Sequence, residues 1–491
     1  MSTVEESPRA DLGLSAGTAP KDEAAAASPV GGATVTAPHG RGALLAYALP
    51  SIAASSTMTA VAAMLPSLYS KYASISLAAV GTMFGLMRIF DAVTDPLIGY
   101  WSDQTRTRWG ARKPWVIAGG LLTTVSSFFL FLIPPQAGIG YFASWSVLFY
   151  LGYTMYQIPH MAWGSELVTE YQQRAGLFAY RGIADTLGGL ILPLLPLVLF
   201  YAGITADTNY TPGVFLWLGW VILIVFPVFL AIAARYAPAG DVSKIHRTNL
   251  KSLYPAVFGN PPLLRFLGAY LIAGAGSGIF AALFFPYFDS YLKIGDWVPH
   301  LLLVAMGGQL ISLPFWARMV GRFGKHRTWA YGWIANSLIA LPMVVLVPGP
   351  SSVVPALLLT GLYSFTNGVS SVAPFALLAD VVDYEILKRN VDRAGNYYAF
   401  LMFIAKATSS IGGLVFVFLG LVFGYSIADN AVNDEFANLG MALAFCVVPG
   451  VFQILAVPLI WNFPIDRRQH AAIRRRIEQR ASRAERANKA A

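Results

Sequence analysis

The sequence holds 491 residues, 56% of them hydrophobic and 12% charged, with 31 Phe, 23 Tyr and 12 Trp. Soluble domains carry about 25% charged residues, so too few polar side chains are present to cover a water-facing surface of this size, and lipid must be the solvent. The net charge of +9 does not point to nucleic acid: nine Arg and Lys residues lie in positions 464–491 and others fall in loops between apolar runs, which is a membrane-topology signal.

Residues 1–40 are rich in Ala, Ser, Gly, Pro and Thr and contain no long apolar run. This excludes a secretory signal and predicts a disordered cytoplasmic tail. Twelve apolar segments follow, at 43–69, 76–100, 114–134, 141–164, 177–203, 213–235, 264–290, 297–320, 328–347, 353–379, 395–424 and 438–463. Each is near the roughly 20 residues that a bilayer requires. The longest polar gap, from Tyr236 to Leu263, carries Lys244, Arg247 and Lys251. It divides the chain into a six-helix bundle at 41–236, a middle loop at 237–263 and a second six-helix bundle at 264–463, with a basic tail at 464–491. Six plus six resembles the arrangement of the major facilitator transporters, an all-α membrane fold of two pseudo-symmetric bundles.

Loops on one side carry Arg106, Arg108, Arg112, Lys113, Arg174, Arg318, Arg322, Lys325, Arg327, Lys388, Arg389 and Arg393. The opposite loops offer little beyond Lys71 and Lys293, so both termini are expected to face the cytoplasm. The loop after the second segment, Arg108-Trp-Gly-Ala-Arg-Lys113, is echoed after the eighth by Arg322-Phe-Gly-Lys-His-Arg327. Matching positions in the two halves argue for duplication, although any cytoplasmic turn collects Gly and Arg. The single cysteine, Cys446, lies in an apolar run and is read as a core residue, so no intramolecular disulfide or thiolate metal site is available.

Charges at membrane depth are costly and therefore informative. The second segment holds Arg88, Asp91 and Asp95; the fifth holds Arg181 and Asp185; the eleventh holds Lys406. Asp91 and Asp95 are one helical turn apart, about 6 Å, where two anions repel unless a cation or proton lies between them. That arrangement suits a coupling-ion site for Na+ or H+, with Thr94 beside it and Pro96 removing an amide donor so that a carbonyl is left as a further oxygen ligand. Permanent neutralisation by Arg88 and Lys406 is the other reading, and Arg181 and Asp185 could equally pair with each other. Glu166, Asp380, Asp383 and Glu385 end the fourth and tenth segments near the Arg-rich loops. There they would latch an inner gate with the loop Asp103 to Lys113, Arg112 foremost, or remain ordinary solvated charges.

Asp91-Ala-Val-Thr-Asp-Pro-Leu-Ile-Gly-Tyr-Trp-Ser-Asp103 with the following Thr105-Arg-Thr-Arg-Trp-Gly-Ala-Arg-Lys-Pro-Trp115 resembles the signature of the glycoside–pentoside–hexuronide:cation symporters, the melibiose permease family. Gly152-Tyr-Thr-Met-Tyr-Gln-Ile-Pro159, Ala179-Tyr-Arg181, Ala379-Asp-Val-Val-Asp-Tyr-Glu385 and Lys406 extend the resemblance over about residues 42–463. It implies a bacterial inner-membrane symporter, monomeric and without a cofactor, whose cation site would be Asp91, Asp95, Thr94 and Thr154. Lys406 would lie near both sites, and Arg181 would line the solute site. The sequence departs from the galactoside-binding members, whose two sugar-gripping acids are matched by Ser55 and Gln157, and one of whose aromatics is matched by Met161.

Expected lining residues are therefore Gln157, Tyr156, His160 and Trp163, with Arg181 or Lys406 meeting a negative group and Asp185 beside Arg181. An acidic or amphipathic glycoside such as a hexuronide fits best, because Ser55 and Gln157 offer only uncharged hydrogen bonds. A lysophospholipid or other amphipathic anion on the same scaffold is the alternative. His160 is the lone obvious intramembrane histidine and has no acid adjacent in sequence, so a membrane hydrolase lacks its parts. No charged ring suggests a channel.

Overall fold

In lipid each backbone amide must be satisfied within its own segment, and a helix is the single-chain way to do it. The structure, a computed structural model, describes residues 41–73, 75–134, 136–167, 171–239, 258–389, 394–428 and 431–490, and these are helical with no strand among them. The tail 1–40, Lys244, Arg247, Lys251 and Arg393, and the side chains of Arg88 and Arg174, lie outside the described residues.

The first half comprises α1 (Gly42–Ala63), α2 (Leu77–Gln104), α3 (Lys113–Phe131), α4 (Ile139–Leu167), α5 (Tyr171–Tyr201) and α6 (Pro212–Tyr236). The second comprises α7 (Pro261–Tyr291), α8 (Gly295–Phe323), α9 (Lys325–Val345), α10 (Pro350–Arg389), α11 (Ala394–Val422) and α12 (Glu435–Trp461). Eleven of the twelve are long and apolar enough to cross a bilayer on those grounds alone. The other, α4, has ample length at 29 residues but is diluted by four tyrosines, Thr154, Gln157 and His160.

Helix starts are set by side-chain caps: Ser76, Thr211, Asn260 and Asp434 accept from the amides of Ala79, Val214, Leu263 and Ala437. Gly110 and Gly324, at matching places in the repeated loops, both adopt left-handed backbone, φ +97° and +88°. Only glycine enters that region without a steric penalty, although the surroundings differ: Gly110 closes a turn on Thr107 within the loop, whereas Gly324 is the single residue between α8 and α9. The tenth segment departs from a single rod: its α-helix Val353–Asn367 passes through a 3-10 turn, Gly368–Ser371, before Ala373–Arg389. The basic tail is also structured, as a helix α13 (Arg467–Ala490) whose Ile473 joins the core of the second half.

Within the halves, α3 packs on α4 and α6, α1 on α5, α7 on α11 and α12, and α8 on α10. Between them, α2 packs along α11 and α5 along α8. Small residues permit the tightest approaches. A Cβ on Gly412 of α11 would sit 2.2 Å from the Gly278 carbonyl oxygen of α7, and one on Gly188 of α5 would sit 2.1 Å from that of Ile52 of α1. One apolar core runs through the first half and into the ends of α7 and α12 farthest from the chain termini, where Tyr210 meets Phe285 edge-on. A separate core, with Trp329, Trp333 and Ile473, fills the second half at the end nearer the termini.

Candidate functional site

The acids of α2 meet α4 and α11 where the halves touch. Thr154 of α4 donates its hydroxyl to Asp95 Oδ1 at 3.2 Å, and Lys406 Nζ of α11 pairs with Asp95 Oδ2. The pair is partly open to solvent, with the Asp95 side chain 21% and the Lys406 side chain 32% exposed. Asp91, one turn away on the same face, is buried at 3% exposure. Thr94 donates to the Phe90 carbonyl at 3.0 Å. Pro96 lies within continuous helix and so removes one amide without ending α2. Asp95, Thr154 and Lys406, far apart in sequence, are thus assembled at one point, with Asp91 and Thr94 on the adjoining turn.

The Lys406 ammonium thus meets one oxygen of Asp95 and the Thr154 hydroxyl the other.

On the solute side, Arg181 of α5 faces Asp185 at 3.8 Å, a loose contact, and its Nε has no hydrogen-bond partner among the described residues. Arg181 is largely buried, at 12%, whereas Asp185 is 45% exposed. Gln157 is half-buried on α4. Ser55 is committed elsewhere, since its hydroxyl donates to the Asp185 carbonyl at 2.7 Å and ties α1 to α5.

Three expected lining residues are placed differently. His160 is fully buried, stacked on Tyr47 with centroids 4.3 Å apart, and its Nε2 lies 2.9 Å from the Tyr47 carbonyl. The Tyr47 hydroxyl in turn donates to the His160 carbonyl at 2.8 Å. Tyr156 stacks on the other face of this group and meets Phe226 edge-on. Trp163 donates its indole N–H to the Pro238 carbonyl at 2.9 Å, with Lys113 over its ring. These side chains are core and helix-end packing in this structure and do not line a solute face. Met161 is exposed.

Of the expected latch, the pair between the loop Asp103 to Lys113 and the end of α4 is formed, whereas the acids at the end of α10 take partners in their own half. Arg112, itself buried, pairs with Asp103 at 2.5 Å and Glu166 at 2.8 Å and donates to Ser102 at 2.8 Å, all within the first half. Asp380 pairs with Lys325 at 2.6 Å and His470 at 3.1 Å, and Asp383 with His470 at 2.9 Å and Arg474 at 3.1 Å, all within the second. Glu385 accepts from Asn260 at 3.2 Å. Each half therefore carries its own loop-to-helix ion pair, and neither pair bridges the halves.

A second charged bridge between the halves, besides Lys406–Asp95, lies at the opposite end from these loops and was missed in sequence: Lys71, beyond α1, pairs with Asp289 of α7 at 2.9 Å, both largely buried. Thr208 adds a hydrogen bond to the Asp296 carbonyl at 2.5 Å. Asp289 closes the seventh apolar run, and its position there is the one sequence signal that could have found it. With the halves joined at this end and separately cored at the other, breaking the pair should favour the opposite conformation. Hydrogen bonds to charged groups contribute about 1.5–3 kcal/mol, so Lys71→Ala or Asp289→Ala should shift that equilibrium about 10- to 150-fold. Cys446 is buried and adds no background, so spin labels on cysteines at the exposed positions Ala206 and Lys293 report the change. An unchanged distance distribution in both variants would remove the pair as a closing element.

The family model described as MFS/sugar transport protein matches residues 46–467. The chain belongs to that family. Family membership makes it a multi-pass membrane transporter of the major facilitator fold. Among curated relatives it is 26% identical to the glucuronide carrier protein homolog of Escherichia coli (strain K12), over 89% of this chain and 95% of that one. It is 27% identical to the isoprimeverose transporter of Lactiplantibacillus pentosus, over 86% and 88%. It is 23% identical to the sodium-dependent lysophosphatidylcholine symporter 1-A of Danio rerio, over 77% of each. Of solved structures, the D-xylose-proton symporter matches with a TM-score of 0.60 at 13% identity, covering 86% of this chain and 97% of that one. The nucleoside transporter NupG matches with a TM-score of 0.59 at 11% identity, covering 86% and 98%. These last two likenesses concern the fold alone.

Proposed function

We propose that the chain is a secondary active symporter that moves a glycoside-like solute, a hexuronide foremost, together with Na+ or H+ by alternating access. It would act in a bacterial inner membrane with both termini cytoplasmic. The observation that carries the reading is the Lys406–Asp95 pair with Thr154 on its free oxygen, because it sets a displaceable positive charge between an ion site and the space between the halves. In that orientation Lys71–Asp289 closes the outer end. The relatives named for glucuronide and isoprimeverose support a sugar-derived solute.

Uptake into proteoliposomes tests it, with a methyl glucuronide, a neutral galactoside and lysophosphatidylcholine offered under an imposed Na+ gradient, a proton gradient or neither. The expected result is accumulation of the glucuronide above its equilibrium ratio under one gradient only. Accumulation of lysophosphatidylcholine alone would transfer the assignment to an amphipathic-anion symporter, and a steady uncoupled current would make the protein a channel.

A further inference from the structure

The repeated loops fix an offset of 214 between the halves, since Arg108 is matched by Arg322 and Gly110 by Gly324, and 322 − 108 and 324 − 110 both equal 214. The same offset matches Glu166 with Asp380, and each of these acids is paired with a basic residue of its own half's loop, Arg112 or Lys325. It also places Gln309 of α8 opposite Asp95 of α2, and Ser371 of α10 opposite Gln157 of α4. Gln309 Nε2 donates to Ser371 Oγ at 3.0 Å. The second half thus links α8 to α10 through the positions that match Asp95 and Gln157, with an amide in place of the carboxylate.

The direction of Gln309 follows from its neighbours. Val304 and Gly308 of α8 lie against Gly361 of α10, and Met306 lies against Gly189 of α5. At 100° per residue Gln309 falls on the arc between those two directions, facing the space between the halves. The opposite arc carries exposed Leu310 and Ile311, an apolar surface suited to lipid, while Phe315 points toward α10 and meets Phe365 there. Ser371 is exposed at the 3-10 break in the middle of its span, where a hydroxyl is stable only against protein or water.

We propose that Gln309, oriented by Ser371, is a specificity-determining contact for the solute on the second half. This rests on the symport reading above. An amide carries two N–H donors and an acceptor oxygen, and one N–H is used on Ser371. The remaining N–H and the oxygen are left for a hydroxyl of a polyol or sugar ring. Because it bears no charge it does not compete for the cation, so the two halves divide the work: the first holds the ion, the second reads hydroxyls.

The test is proteoliposome uptake of whichever glycoside the wild-type protein accumulates, set against its deoxy analogues. Gln309→Ala should raise KM about 5- to 10-fold and flatten the preference for the hydroxylated solute over one deoxy analogue, with Vmax and the cation dependence unchanged. Ser371→Ala should raise KM less, and Gln309→Asn should recover part of the preference. A contact that merely staples α8 to α10 would lower Vmax or the amount of protein and leave KM and the deoxy preference alone, which overturns the proposal. A wild-type protein that accumulates no glycoside at all overturns the symport reading first and this inference with it.

Discussion

Asp95→Asn is expected to abolish gradient-driven accumulation, bringing the internal solute down to its equilibrium ratio, while exchange of solute across the membrane continues. Asparagine keeps the shape and can still accept the Thr154 hydroxyl, so the α2–α4 link survives. It cannot hold a monovalent cation, and it leaves Lys406 without its carboxylate on Asp95. Solute binding is spared or strengthened, because the ammonium no longer spends its charge on Asp95. Asp91→Asn should weaken coupling less completely, since Asp95 remains. Measuring the accumulation ratio and counterflow in the same vesicles separates the two effects. If both neutral variants concentrate solute at the wild-type rate, the ion site lies elsewhere.

What the sequence made legible follows from which interactions are local. Apolar runs of bilayer length located all twelve helices, because the cost of an exposed amide in lipid leaves no other solution. Asp91 and Asp95 were legible for the same reason: two acids one turn apart at membrane depth have no cheap structural explanation. His160 shows the limit. Its neighbours in sequence gave no sign that Tyr47, on a helix more than a hundred positions earlier, would stack on it and accept from or donate to its ring.

The acids at the ends of α4 and α10 nearer the chain termini show a second limit. Their sequence context said they would meet basic groups, and they do, but any of several loop cations satisfies that demand. Glu166 takes Arg112, whereas Asp380 and Asp383 take Lys325 and α13, and that choice is a matter of tertiary geometry. The 3-10 break in α10 was marked in sequence by Gly368 and by Pro374 in the first turn of the helix that follows. Lys71 and Asp289 were ordinary end-of-helix charges until the fold brought the ends together.

Arg181→Gln is the second large effect expected. Arg181 lies close enough to Tyr47, Tyr156 and His160 for its charge to act on them, and these neighbours already spend their polar atoms on one another. Its loose 3.8 Å contact with the half-exposed Asp185 is of a kind that contributes little to folding. A guanidinium so placed can give a carboxylate two parallel charge-assisted hydrogen bonds, each about twice as strong as a neutral one. Losing bonds to a charged group costs about 1.5–3 kcal/mol, so uptake of a hexuronide at low concentration should fall about 10- to 150-fold. Glutamine removes the charge but keeps a polar amide, so protein abundance and the uptake of a neutral glycoside should change by no more than about threefold. Competition gives the same answer by another route: charged analogues should displace the transported solute far better than neutral galactosides in the wild-type protein, and that advantage should vanish in Arg181→Gln. If neutral galactosides compete as well as the charged analogues from the start, and the variant transports normally, Arg181 is a structural residue of α5 and the solute carries no negative group at this site.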